Sequence, residues 1–326
     1  MRRNRRFLGF AMLAIGLFWL AALVLSSGPW LRGIGGSGML IEQTYTARAL
    51  AMDVSLGSVE VRSWAGPGVR VEATYHGGGP DNYAVQIAPA GDTLRITGGG
   101  KPCLLVCPPR DIEYRISLPA SGDAQIKTGN GAIDVADLNG QIVLNSTSGA
   151  IQAQHLGGGL SAGTVSGAIE LDDIAGAIDL HSTSGAITLD SGHATGAQVE
   201  TTSGAIELSG VAGDMQLKSI SGAITVRDAA AHALTASTVS GAIDYEGSLA
   251  RGAAQSFSSV SGDITLSLPE SSAFDLRATT ISGDIDSEFE LAPREAGRRS
   301  LSGTAGGGGA TLTIETTSSA ISVDQQ

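Results

Sequence analysis

The chain has 326 residues and a formal net charge of −12; 46 residues are glycine and only 16% are charged. Glycine at about twice its usual share, with charge below the roughly 25% of an ordinary domain, points to a repeat protein rather than a typical enzyme. The acidic balance repels nucleic acid and anionic lipid headgroups, and with 4% aromatic residues, none of them between 121 and 240, bases and sugar rings find little to stack on.

The N-terminus carries Arg2, Arg3, Arg5 and Arg6 ahead of an uncharged apolar run over residues 7–25. As a helix rising about 1.5 Å per residue, that run crosses most of a hydrocarbon core about 30 Å thick. Either a signal anchor or a cleaved signal peptide results. The run exceeds the usual apolar length of a signal peptide and no Ala-x-Ala site follows it, which favours the anchor. Four arginines before the span, against Arg32 just after it, predict a cytoplasmic N-terminus and an extracytoplasmic remainder, single-pass in the cytoplasmic membrane. Residues 1–27 are thus assigned to the anchor, and 28–39 to a Gly/Ser linker.

Residues 40–120 read as a degenerate β-rich cap, with strand-like runs at 51–61, 69–75, 83–87, 93–96 and 112–118. Cys103 and Cys107 fall inside it. An oxidising compartment permits a disulfide between them, but four extended residues would hold their Cα atoms about 13 Å apart, so a bridge requires a turn through residues 104–106.

From residue 121 the chain repeats itself. Asn-Gly-Ala-Ile and then Ser-Gly-Ala/Asp-Ile recur, with glycines at Gly131, Gly149, Gly167, Gly185, Gly204, Gly222, Gly241, Gly262 and Gly283. A period of about 18 residues means stacked units that bury a core only against their neighbours. Within each period, pairs such as Ile169/Leu171 and Ile178/Leu180 alternate with polar residues, the signature of strands with one face buried. The predicted fold is all-β: a parallel β-solenoid with two half-coils of nine residues and an N-terminal transmembrane helix.

Three details follow from this register. Each repeat glycine is expected at a corner that needs positive φ. The β-branched residues two positions before it, such as Val165, Ile220 and Val239, are expected to stack inward. The position after each motif isoleucine reads Glu170, Thr188, Glu207, Thr225, Asp244, Thr265 and Asp286; interleaved threonine relieves the repulsion that carboxylates stacked about 5 Å apart would suffer. Near the end, residues 294–309 read as a Gly-rich loop inserted into a coil. Ser319 stands two periods beyond Gly283, so the last coil is expected to close the rod.

Chemistry-bearing residues are sparse. The Gly-Gly-x-Gly-x-Asp repeat of calcium-binding β-rolls is missing, and the sequence predicts no metal and no cofactor. His76, His155, His181, His193 and His232 are scattered and read as polar surface. Asp172 and Asp173 with Asp179 or Asp190 could supply paired carboxylates to a polysaccharide-cleaving β-helix, but acids spread along a solenoid are expected in any case, and no catalytic residue is assigned.

The Ser-Gly-Ala/Asp-Ile motif, the leading segment with Gly57-Ser-Val-Glu-Val61 and the single N-terminal span together resemble the bacterial DUF4097-type, adhesin-like family over about residues 40–323. The resemblance implies a β-solenoid of the cell envelope and brings no catalytic residues with it. The expected function is therefore a non-enzymatic, membrane-tethered presentation of a rigid solenoid to an envelope polymer or envelope protein. A self-assembling scaffold, by self-association of rods, is the alternative.

Overall fold

The computed structural model describes residues 36–101, 110–190 and 194–326. The apolar run at 7–25, Cys103, Cys107 and His193 lie outside these. Among the described residues, no helix is long and apolar enough to cross a membrane.

Strands with period-two burial make up almost all of the described chain. The cap region holds β1 (Ser37–Tyr45), β2 (Ala49–Leu56), β3 (Ser58–Trp64), β4 (Val69–His76), β5 (Tyr83–Ala90), β6 (Thr93–Gly100) and β7 (Asp111–Pro119). Coils then follow as strand pairs: β8 (Ala124–Asn130) with β9 (Ile133–Ala136), β10 (Ile142–Ser146) with β11 (Ile151–Leu156), β12 (Leu160–Thr164) with β13 (Ile169–Ile174), and β14 (Gly176–Ser182) with β15 (Ile187–Asp190). Next come β16 (Ala194–Thr201), β17 (Ile206–Ser209) and β18 (Ala212–Ser219). The long β19 (Ile224–Thr238) turns a corner and serves both faces. The chain ends with β20 (Ile243–Leu249), β21 (Ala254–Ser259), β22 (Ile264–Leu268), β23 (Phe274–Thr280), β24 (Ile285–Ser287), β25 (Glu295–Ala296), β26 (Ser300–Ala305), β27 (Ala310–Thr316) and β28 (Ile321–Gln325).

Two parallel stacks result. The first face runs β6, β2, β8, β10, β12, β14, β16, β18, the C-terminal half of β19, β21, β27, β23. The second runs β7, β3, β9, β11, β13, β15, β17, the N-terminal half of β19, β20, β22, β28, β24. At about 4.8 Å per strand the rod is about 50 Å long.

Why the coils stay in register is visible in the core. On the second face Ile133, Ile151, Ile169, Ile187, Ile206, Ile224, Ile243, Ile264, Ile321 and Ile285 stand on one another in one column. All but Ile285 are buried. Each buried isoleucine contributes about 1.5–3 kcal/mol of transfer free energy, and a slip of one residue would turn the column out to water.

At both ends spatial order departs from chain order. The β2/β3 coil lies between β6/β7 and β8/β9. Likewise the C-terminal β27/β28 coil lies between β21/β22 and β23/β24. The expectation that the last coil closes the rod is therefore corrected: the β23/β24 coil, earlier in sequence, takes the end position. The Gly-rich stretch read as a loop contains β25 and β26. The latter pairs antiparallel with β23 and caps the first face. Beyond β24, Phe289 and Leu291 are buried, and the Phe289 ring meets Phe274 edge-on at 5.0 Å, which plugs the core. At the other end β5 caps β6, and β4 with β1 caps β7, all antiparallel.

Candidate functional site: corners and faces of the rod

The repeated motif forms one corner of every coil, and its chemistry differs from the pattern that sequence suggests. Among the nine repeat glycines only Gly131 has positive φ, at 148°. The others are glycine because of what lies beneath them. A Cβ on Gly167 would lie 2.0 Å from the Gly149 carbonyl oxygen, and one on Gly222 would lie 1.7 Å from that of Gly204. Stacked corners thus approach more closely than any side chain allows.

The β-branched residues two positions before these glycines point outward, against expectation. Val165, Ile220, Val239, Val260 and Ile281 are 45–61% exposed. The inward position is one residue earlier, because the bend at the corner breaks strand alternation after it. That position holds Thr128, Ser146, Thr164, Ser182, Thr201, Ser219, Thr238, Ser259, Thr316 and Thr280, all buried. Hydroxyls of this column bond both within their own coil and to the neighbouring one. The Gly185 and Gly222 amides donate to Ser182 Oγ and Ser219 Oγ at 2.9 and 2.8 Å. Thr238 and Ser259 in turn donate to the Gly222 and Gly241 carbonyls of the neighbouring coil, both at 3.2 Å. A buried column of hydroxyls therefore satisfies corner groups that a purely apolar core would leave unpaired.

Positive φ is needed at the opposite corner instead. Asp137, His155, Asp173, Gly210 and Asp228 have φ between 50° and 67°, and each is followed by a buried residue: Leu138, Leu156, Ile174, Val211 or Ala229. The left-handed turn swings that next side chain into the core. Asp and His are among the non-glycine residues that tolerate this conformation best.

Outward residues form the accessible surface. On the second face Glu170, Thr188, Glu207, Thr225, Asp244 and Thr265 are consecutive register partners, as the alternation predicts. Ser322 of the inserted coil then intervenes before Asp286. Toward the cap the same column brings Glu60 and Asp134 side by side. Arg62 resolves the repulsion by donating to Asp134 at 3.0 and 2.5 Å while standing 3.5 Å from Glu60. The hydrogen bond to Asp134 is the main cause that lifts the Arg62 guanidinium above its ordinary pKa.

The acids considered for catalysis are split between the faces. Asp172 and Asp190 are register partners on the second face. Asp179 lies on the first, between Ser161 and Gln198. Each described histidine neighbours a carboxylate: His76 Glu113 at 3.5 Å, His155 Asp137 at 3.3 Å, His181 Asp179 at 2.9 Å and His232 Asp214 at 3.2 Å. His181 also stands 3.8 Å from Glu200; among the described residues no group of three such side chains is arranged to hold a metal ion. A shallow groove of about 500 Å³ on the first face is lined by Asp179, Gln198, Asp214, Gln216 and Thr235, among others. It is open, and Ala177, Ala197, Met215 and Ala233 make its lining as much apolar as polar.

Comparison with known proteins places these features in context. The family model described as Toastrack DUF4097 matches residues 49–324. Two solved structures are similar to the chain. One is a putative cell adhesion protein from Clostridium sporogenes ATCC 15579, with 9% identity and a TM-score of 0.24, covering 90% of this chain and 100% of that one. The other is a putative adhesin from Bacteroides fragilis NCTC 9343, with 14% identity and a TM-score of 0.37, covering 87% of this chain and 96% of that one. No curated protein matches.

Proposed function

The chain belongs to the Toastrack DUF4097 family, and from that premise we propose that it is a non-enzymatic envelope protein that holds a rigid β-solenoid out from the membrane. Its N-terminal apolar run is the tether, and its sheet faces bind a surface polymer or another envelope protein.

The observation that carries this reading is the outward column of the second face, in which Glu170, Thr188, Glu207, Thr225, Asp244 and Thr265 repeat a polar group at every strand. Hydroxyls and carboxylates spaced about 4.8 Å apart suit a partner that itself repeats, because many weak contacts then act together. The placement of Asp179 on the opposite face from Asp172 counts against that pair as the two carboxylates of a glycosidase, which have to flank one bond; Asp172 and Asp190 do stand side by side, on an open sheet face.

A self-assembling scaffold is the second reading, favoured by the cap end. There the outermost strands β1 and β5 are nine and eight residues long, whereas the outermost strands at the far end, β24 and β25, have three and two. Long edge strands invite pairing with other chains.

Co-sedimentation of residues 36–326 with isolated cell envelope, beside a tube without envelope, tests both. Pelleting only with envelope is the expected outcome. Pelleting in neither tube would sink direct envelope binding, and pelleting in both would favour the scaffold.

A further inference from the structure

The C-terminal coil occupies a slot that the rest of the chain leaves open for it. Residues 310–326 follow all the other coils in sequence, yet they do not add to an end of the rod. β27 pairs with β21 on one side and β23 on the other, and β28 pairs with β22 and β24. Until this coil arrives, β21, β22, β23 and β24 border a gap one strand wide, with unpaired parallel edges on both sides.

The route into the gap is constrained. β26 lies on the far side of β23 from β27, so the loop at 306–309 must cross over the start of β23. It does so in contact with the linker that leads into that strand: a Cβ on Gly306 would lie 2.8 Å from the Ser272 carbonyl oxygen, and one on Gly309 would lie 2.5 Å from that of Ala273. Gly306, Gly307 and Gly308 all have positive φ, from 59° to 83°. Crossing connections at one sheet edge are rare in protein folds; this one is a turn closed by the Gly308 amide donating to the Ala305 carbonyl at 3.0 Å, and its four glycines are the residues best able to adopt a second, extended path as a hinge.

Two buried side-chain oxygens at the slot lack a hydrogen-bond partner, as Tyr114 Oη does elsewhere in the rod. Thr316 Oγ1, in the buried hydroxyl column, has no hydrogen-bond partner. Nor has Oε1 of Gln255, the buried register partner of Leu312. Ser319 stands where the other corners carry glycine.

We propose that this slot accepts the C-terminal coil of a second copy, so that two rods exchange residues 310–326 reciprocally and join at their C-terminal ends. The exchanged coil makes the contacts it makes within one chain, because every strand pair and core contact around it is retained. Only the glycine hinge changes, and opened to an extended path it spans about 13 Å. Hinge-coupled exchange of one element is a low-cost route to a dimer. This inference is independent of what the faces bind.

The test uses Thr265 and Ser322, register partners on β22 and β28. Neighbouring parallel strands bring Cα atoms within the 4.4–6.8 Å that a disulfide needs. Full-length chains carrying Thr265→Cys alone and Ser322→Cys alone, each with Cys103→Ala and Cys107→Ala, are unfolded together, refolded together and oxidised. The control mixes the same two chains after separate refolding. At least a tenfold excess of covalent heterodimer in the co-refolded sample is expected; equal yields in the two samples would overturn the proposal. A second variant deletes Gly307 and Gly308, so that the coil can no longer cross over its own β23. Light scattering is expected to show it as a dimer, and a folded monomer would count against exchange.

Discussion

Gly185 lies on the Gly167 carbonyl so closely that a Cβ would sit 1.6 Å from the oxygen. The relationship is repeated at the other glycines of the motif corner, which Ser319 alone interrupts, and it makes glycine there a matter of stacking rather than of backbone dihedral.

Gly185→Ala should therefore cost about 3 kcal/mol or more, since neither backbone can yield without disturbing the coils on both sides. Ala186, next to it and exposed, supplies the control: Ala186→Ser should change stability by less than about 0.5 kcal/mol. Urea denaturation of the two variants measures the difference. Equal small effects would mean that the corners can spread apart.

Ser182→Ala removes the oxygen that accepts from the Gly185 amide at 2.9 Å and leaves a buried donor unpaired. A loss of about 1–3 kcal/mol is expected. Ser182→Thr, which restores the alternative the column already uses, should recover most of it. If alanine proved neutral in urea denaturation, the hydroxyl column would be dispensable for stability.

At the opposite corner Asp228 has φ 51°. Asp228→Gly should be tolerated within a few tenths of a kcal/mol, whereas Asp228→Val should cost about 1–2 kcal/mol, because a β-branched side chain is poorly accommodated in the left-handed region. The ranking in thermal melts, with glycine well above valine, checks the assignment. A reversed ranking would show that the carboxylate, not the dihedral, matters there.

Tyr245 is buried and donates to the Ser248 carbonyl at 2.8 Å; burial pushes its pKa from 10.0 up to about 12. Raised in the folded state, this group favours folding fully below about pH 10, and that contribution is lost as pH climbs toward 12. The slope approaches about 1.4 kcal/mol per pH unit in that window. Tyr245→Phe should flatten the alkaline fall in stability measured between pH 9 and 11. Tyr114, also buried, has its pKa raised by desolvation and should supply part of the slope that remains.

The 18-residue period, the isoleucines of the motif and the Glu/Thr alternation suffice to place nearly every coil between residues 121 and 268, because contacts there link each residue to its equivalent one period away. The arrangement of the repeat is thus written locally. The faces of the candidate site were legible for the same reason: Glu170 stands beside Thr188, and Thr188 beside Glu207, wherever strands stack in register.

Where one coil order is as compatible with the pattern as another, sequence is silent. Ile321 satisfies the isoleucine column equally well at the end of the rod or one place in; pairing with both β22 and β24 is a choice among long-range alternatives, made by the β26 cap and the Phe289 plug that cover β23 and the core beyond it. At the motif corner sequence is ambiguous for a different reason. Val165 and Thr164 are adjacent β-branched residues, and which one turns inward depends on where the strand bends. That bend is set by the Gly167 amide donating to Thr164 Oγ1 at 3.0 Å and by the neighbouring coil on which Gly167 rests, neither of which is visible until the coils are stacked.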